Sequence, residues 1–182
     1  MKIYVLRHGE TDLNKAGLVS GVSNAHLTPK GINQAVEAAK EIDRNKELYN
    51  IKHIYVSPLE RAQHTAKPIE EVLNLEAIIE PRIMEFNFGE YEKCSVEDVE
   101  FKRLRRQPYT RFKDGESILS AAHRIYSALD MIIEKHKNED NNVLLVCHGT
   151  CARIIYTYFN NIDDIDYYNL QLNNCELITF NV

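Results

Sequence analysis

Short runs of β-branched and aliphatic residues, each closed by a polar loop, alternate along this chain with longer stretches whose apolar residues recur every three or four positions. Lys2-Ile3-Tyr4-Val5-Leu6, His53-Ile54-Tyr55-Val56, Ala77-Ile78-Ile79-Glu80, Val143-Leu144-Leu145-Val146 and the stretch from Glu176 to Phe180 are the short runs. Their length and residue type predict strands. The Val143 run is the most hydrophobic of them and reads as a central strand buried on both faces. Thr28-Pro29 predicts a helix start, threonine as N-cap and proline at the first helical position. Ile32, Ala35, Val36, Ala39 and Ile42 form its predicted apolar stripe. A second helix is expected to start at Ser57-Pro58. A third follows Ser117 and turns Ile118, Ala121, Ala122, Ile125, Leu129, Ile132 and Ile133 to the core, with His123 and His136 on its surface. A fourth runs through Ala152, Ile155, Tyr156 and Phe159. Strands separated by helices predict an α/β fold, three layers α/β/α around a mostly parallel central sheet.

The polar breaks carry the chemistry. The first strand ends in Arg7-His8-Gly9-Glu10-Thr11, and open parallel sheets place their ligands at such carboxyl ends. A neutral imidazole can attack phosphorus, the planar Arg7 fork can hold non-bridging oxygens, and Gly9 lets backbone come close. The second strand leads into Ser57-Pro58-Leu59-Glu60-Arg61, a strand-to-helix junction that offers N–H groups and a guanidinium to an anion. The central strand delivers Cys147-His148-Gly149-Thr150, a second His-Gly at a strand end. Glu85 stands among Ile83, Met84, Phe86 and Phe88, a setting that suits a general acid. Residues 14–24, rich in glycine and amides, suit a loop folded over a site.

Length and charge narrow the picture. A chain of 182 residues fits one domain, 1–182, and buries roughly 70% of its unfolded surface around a core. A formal net charge of -5 offers nucleic acid or an anionic membrane no general attraction, so an anionic small substrate needs a locally positive site. The amino terminus reads as neither signal peptide nor membrane span, which places the protein in the cytoplasm. Cys94, Cys147, Cys151 and Cys175 lack the spacing of a disulfide framework and are read as reduced thiols. One segment reverses the overall sign: Lys102, Arg103, Arg105, Arg106, Arg111 and Lys113 crowd residues 101–113 without an acid. It is either a solvated basic face or part of a lid over residues 90–114 that recognises a second anionic group.

These motifs, in this order, resemble the histidine phosphatase superfamily, also called phosphoglycerate mutase-like. The resemblance rests on Leu6 to Thr11 with Asn14 and Ser20-Gly21, on Ser57-Pro58-Leu59-x-Arg61-Ala62-x-x-Thr65-Ala66, on Glu85 with Phe88-Gly89, on Gly115-Glu116-Ser117 and on His148-Gly149. It implies the phosphoglycerate mutase-like fold and a phosphomonoester hydrolase acting on a small phosphorylated metabolite, with His8 forming a phosphohistidine. Arg7, Arg61 and His148 would bind the phosphoryl oxygens, and Glu85 would protonate the leaving oxygen and then activate water. Asn14, Ser20, Gly21, Gly149, Thr150, Arg105 and Arg106 are the implied substrate-binding residues. No cofactor and no metal is implied.

Two features depart from that pattern or compete with it. Lys93 follows Phe88-Gly89-Glu90-Tyr91-Glu92 where related phosphatases often have glycine, and the segment between Glu85 and Gly115 is shorter than in the family's mutases, which favours hydrolysis over isomerisation. Cys147 and Arg153 also satisfy the Cys-x5-Arg spacing of cysteine-dependent phosphatases, in which a thiolate attacks. A phosphoglycerate mutase and a non-catalytic phosphate-binding module are the remaining alternatives.

Overall fold

A computed structural model describes residues 1–182. In chain order its elements are β1 (Lys2–Arg7), α1 (Asp12–Lys15), α2 (Pro29–Arg44), α3 (Lys46–Tyr49), β2 (Ile51–Val56), α4 (Glu60–Leu73), β3 (Ala77–Ile79), α5 (Val99–Leu104), α6 (Ile118–His136), β4 (Asn142–Cys147), α7 (Gly149–Phe159), α8 (Asp164–Asn169) and β5 (Leu177–Asn181). The five strands form one sheet in the order β3-β2-β4-β1-β5. The first four are parallel and β5 closes the β1 edge antiparallel. The Val143 run is thus the middle strand, as its composition predicts.

Strand alternation divides the core. Tyr4, Leu6, Ile54, Val56, Leu144 and Val146 face one side, where Ala39 and Ile42 of α2 and Ala62, Ala66 and Ile69 of α4 pack on them. Ile3, Val5, Tyr55, Val143 and Leu145 face the other, under Ile125, Leu129 and Ile132 of α6 and Ile154 and Ile155 of α7. Each sheet face is therefore dry, and period-two alternation cannot be seen as a polar–apolar pattern because both phases are apolar. No helix is long and apolar enough to cross a membrane.

Several predicted details shift. Thr28 caps α2, its side chain accepting the Gly31 N–H, but Ile32 and Val36 are exposed while Gly31, Ala35, Ala39 and Ile42 are buried. The spacing 31, 35, 39, 42 is the true face, and the two branched residues lie one position off it. Helix α4 begins at Glu60, not Ser57; the Ser57 hydroxyl accepts the Leu59 N–H at 3.3 Å and meets His148 Nε2 at 2.6 Å. Residues 12–15 form a helical turn held by a Thr11–Asn14 capping box, so the loop expected over 14–24 begins inside a helix. His136, expected on the surface, is 1% exposed.

The segment 101–113 is mostly neutralised from outside itself. Lys102 pairs with Glu97, Arg103 with Glu100 and Lys113 with Glu90, while Arg111 reaches Ser120 and the Gly115 carbonyl. Phe101 and Phe112 anchor it in an aromatic cluster with Phe86, Phe88 and Tyr91. Only Arg105 turns toward the cavity described below.

Two glycines bring the first turn of α2 against the loop after β1. A Cβ on Gly9 would lie 2.4 Å from the Gly31 carbonyl oxygen, and one on Gly31 would lie 2.0 Å from that of Glu10. Both contacts are to backbone, which cannot swing away as a side chain would. Gly31→Ala is expected to lower stability by about 1–3 kcal/mol through overpacking, read as a lower urea midpoint at unchanged slope.

Candidate active site

The carboxyl ends of β1, β2 and β4 converge on one cavity of about 400 Å³. His8 follows β1 and its backbone is pinned twice, by its N–H donating to the Cys147 carbonyl at 3.0 Å and by Asn174 Nδ2 donating to its own carbonyl at 2.8 Å. The ring is oriented as tightly. His8 Nδ1 lies 2.7 Å from the Gly9 carbonyl oxygen, which can only accept, so Nδ1 carries the proton. Nε2 is then a bare lone pair, and the Arg61 Nε–H points at it from 3.3 Å. Burial, reinforced by the charges of Arg61 and Arg7, pushes the His8 pKa well below its ordinary value.

Arg61 comes from the first turn of α4 and is itself 1% exposed. Of its four other N–H donors, two go to the Gly21 carbonyl at 2.5 Å and the Ser23 carbonyl at 3.1 Å. That loop is held in turn by Glu92, whose carboxylate accepts from the N–H groups of Gly21, Val22, Ser23 and Phe88 and from the Ser23 hydroxyl. Glu92 therefore positions Arg61 through the loop, and Arg61 flanks His8. No sequence reading singled out this carboxylate. Glu92 stood in the chain only as the second acid of the run Phe88-Gly89-Glu90-Tyr91-Glu92, with no role attached.

His148 precedes α7 and is fully buried, with its ring 5.1 Å from that of His8. Ser57 Oγ meets its Nε2 at 2.6 Å, while Nδ1 has no protein partner. Arg7 donates from Nη1 to the Leu172 carbonyl at 2.5 Å, and its Nε is another buried donor without a partner. An unsatisfied guanidinium N–H and an unpartnered imidazole nitrogen beside His8 are groups that an anion could complete, the imidazole when Ser57 Oγ–H donates to His148 Nε2 and leaves the proton on Nδ1. Burial lowers the pKa of Arg7 and Arg61, and burial with the Arg61 charge lowers that of His148 well below its usual range.

Glu85 faces this positive group from the other wall. Its Oε2 accepts from Thr150 N–H at 3.1 Å, and its Oε1 from Cys151 N–H at 3.1 Å and Phe86 N–H at 2.8 Å. The carboxylate thus sits on the amino end of α7, where the helix dipole favours negative charge. Arg124, which the sequence did not mark, clamps the carbonyls of Arg82, Met84 and Glu85 and pairs with Glu116 at 2.7 Å. Glu116 of the Gly-Glu-Ser motif is therefore structural: through Arg124 it fixes the turn that presents Glu85.

Asn14, Ser20, Gly149 and Thr150 line the cavity with Arg7, His8 and Glu85, and Arg105 closes one side. Gly21 contributes its carbonyl to Arg61 rather than a surface to the cavity. Arg106 lies outside it: it sits in the turn that follows α5, and its side chain is on a separate surface depression with Asp164, Ile165 and Asn169. Arg153 and Tyr168, absent from the sequence-based site, line the cavity. Arg7, Arg105 and Arg153 against the single acid Glu85 make its charged lining positive in a chain of net charge -5. The thiol alternative fares worse: Cys147 and Cys151 are buried, neither lines the cavity, and burial pushes the Cys151 thiol up.

A parallel-sheet scaffold with two uncharged imidazoles, two buried guanidiniums and a carboxylate at its carboxyl edge defines a phosphoryl-binding α/β protein. Residues 3–182 match the histidine phosphatase superfamily (branch 1), and the chain belongs to that family. It is 32% identical over 184 residues to the probable phosphoglycerate mutase GpmB of Escherichia fergusonii, covering 97% of this chain and 83% of that one. It is 32% identical over 170 residues to phosphoserine phosphatase 1 of Hydrogenobacter thermophilus, covering 90% and 78%. The crystal structure of phosphoserine phosphatase from Entamoeba histolytica in complex with 3-phosphoglyceric acid superposes with a TM-score of 0.83 at 29% identity, over 98% of this chain and 89% of that one. These relatives mark the chain as an enzyme of the phosphatase and mutase class.

Two outcomes follow from the geometry. His8 and His148 are neutral when folded and protonate near 6.5 when unfolded. Below that pH the unfolded chain binds protons that the folded one refuses, so stability falls by up to about 1.4 kcal/mol per pH unit for each ring. Urea midpoints measured from pH 7 down to pH 5 should decline, and the two imidazole Cε1–H resonances should show no titration over that range. Removing the Glu92 carboxylate in Glu92→Ala strands four N–H donors and a hydroxyl, with an expected loss of about 2–4 kcal/mol in urea unfolding.

Proposed function

We propose that the protein is a phosphomonoesterase that works through a phosphohistidine on His8. The observation that carries this reading is the His8 ring itself, its Nδ1–H donating to the Gly9 carbonyl and its Nε2 lone pair accepting only the long bond from Arg61 Nε–H at 3.3 Å. Nε2 attacks phosphorus as the ester P–O bond breaks, and Glu85 gives its proton to the leaving oxygen. Arg7, Arg61 and His148 hold the phosphoryl oxygens and stabilise charge gained in the transition state. Water then attacks the phosphohistidine, Glu85 takes its proton, and the P–N bond breaks to release phosphate and neutral His8. The chemistry asks for no metal or cofactor.

The substrate class follows from the rest of the cavity. Its volume of about 400 Å³ suits a small metabolite. Arg105 and Arg153, which line the cavity besides Arg7, favour a substrate with a second anionic group, of which a phosphorylated carboxylic acid is the simplest. The names of the relatives, phosphoserine phosphatase among them, point the same way. Asn14, Ser20, Gly149 and Thr150 are proposed to contact it, and the enzyme to act in the cytoplasm. A mutase is the second reading, favoured by the phosphoglycerate mutase name of one relative. It would return the phosphoryl group to the same bound acid instead of to water.

Incubation with 3-phosphoglycerate and phosphoserine separates the two, since release of inorganic phosphate supports hydrolysis and formation of an isomeric phosphoglycerate supports the mutase. A labelled, acid-labile phosphoenzyme is expected in wild type. His8→Ala should abolish it and lower kcat/KM by about a thousandfold or more, and Glu85→Gln should lower kcat by about 10²–10⁴-fold. Arg105→Ala and Arg153→Ala should each raise KM about tenfold or more for phosphorylated acids and little for a phosphomonoester of an uncharged alcohol. Activity retained in His8→Ala and lost in Cys147→Ser would refute the mechanism.

A further inference from the structure

At the opposite end of the sheet a second group of chemistry-bearing side chains comes together. His53 lies near the start of β2, in register with Val143, the second residue of β4. His136 ends α6, and Glu139 sits in the connection from α6 to β4. His8 and His148, by contrast, follow the carboxyl ends of their strands. His53 Nε2 is 2.8 Å from Glu139 Oε2, His136 Nδ1 is 3.2 Å from Glu139 Oε1, and the three potential ligand atoms all lie within 4.8 Å of one another. The two imidazoles stack at 3.9 Å between centroids.

We propose that His53, His136 and Glu139 form a binding site for one divalent first-row transition-metal ion, Zn2+ being the natural occupant. Two imidazole nitrogens and a carboxylate are a borderline donor set suited to such ions and poorly suited to Mg2+ or Ca2+. Each ligand that needs orientation has a neighbour supplying it. Tyr55, 1% exposed, meets His136 Nε2 through its hydroxyl at 2.9 Å, and Asn141 Nδ2 donates to Glu139 Oε2 at 2.6 Å. Such outer partners fix the ring and the carboxylate in metal sites. The Asn141 Oδ1 atom is buried and has no hydrogen-bond donor, which places an unsatisfied oxygen next to the cluster.

Binding requires only a change of tautomer and no redox step. The proton between His136 and Glu139 moves from Nδ1 to Nε2, where the Tyr55 hydroxyl oxygen accepts it, and His53 presents Nε2 with its proton on Nδ1. The ion then replaces two N–H donors as the partner of Glu139. Three protein ligands leave room for water. The ion would tie the end of α6 to β2 and β4 without touching the phosphoryl site, so this assignment is independent of the proposed function.

The test uses untagged, chelator-stripped protein and titrates Zn2+ by calorimetry, Co2+ by visible spectroscopy and thermal stability at a hundredfold excess over Kd. One Zn2+ per chain, a Co2+ d–d band of low-coordinate intensity and a Tm increase of about 5–10 °C are expected. His53→Ala and Glu139→Gln should abolish all three while phosphatase activity and unloaded Tm stay near wild type. Tyr55→Phe should weaken binding about tenfold or more. Absence of binding at millimolar Zn2+, or binding that persists in His53→Ala and Glu139→Gln, would overturn the assignment.

Discussion

Two buried guanidiniums standing beside two buried imidazoles set the terms for this structure. Burial holds His8 and His148 short of a proton, and the positive charges of Arg61 and Arg7 add to the effect. The rings are therefore uncharged, and an uncharged imidazole keeps a lone pair. The Gly9 carbonyl then decides which nitrogen holds it. The charge state of both rings and the tautomer of His8 are thus set by their surroundings.

Such an arrangement is costly unless its donors are occupied, and much of the surrounding structure serves that need. Arg61 spends two donors on carbonyls of residues 21 and 23. Those carbonyls stay in place because Glu92 gathers the N–H groups of the same loop. On the opposite wall Glu116 and Arg124 hold the turn that carries Glu85. Two carboxylates that never reach the cavity thus fix the groups that do, by hydrogen bonds to backbone rather than by contact with a substrate. Arg7 Nε and His148 Nδ1 are left over, buried without partners.

The basic segment shows how local charge can mislead. Six cations without an acid between residues 101 and 113 read as a recognition surface, yet Glu90, Glu97 and Glu100, just upstream, neutralise half of them. Arg105 alone faces the cavity because Phe101, one helical turn earlier, anchors in the aromatic cluster and fixes the orientation of its neighbours. Arg153, which shares the cavity with Arg105, carried no such signal. It is a lone arginine on an otherwise apolar helix.

Strand and helix order, the mostly parallel sheet and the position of the central strand were legible in the chain, since apolar periodicity and Pro, Ser and Thr caps are local properties. His8, Arg61 and His148 were legible too, because each directly follows or opens an element at a strand end. Helix faces were less so: Ile32 and Val36 look buried by type and are exposed by one position of phase. Convergence was not readable at all. That Glu92 supports Arg61, that Arg153 joins Arg105, or that His136 leaves the surface to meet His53 and Tyr55 depends on side chains brought together across tens of residues. No local pattern encodes a contact whose partners are set by how helices pack across a sheet, so tertiary structure decided it.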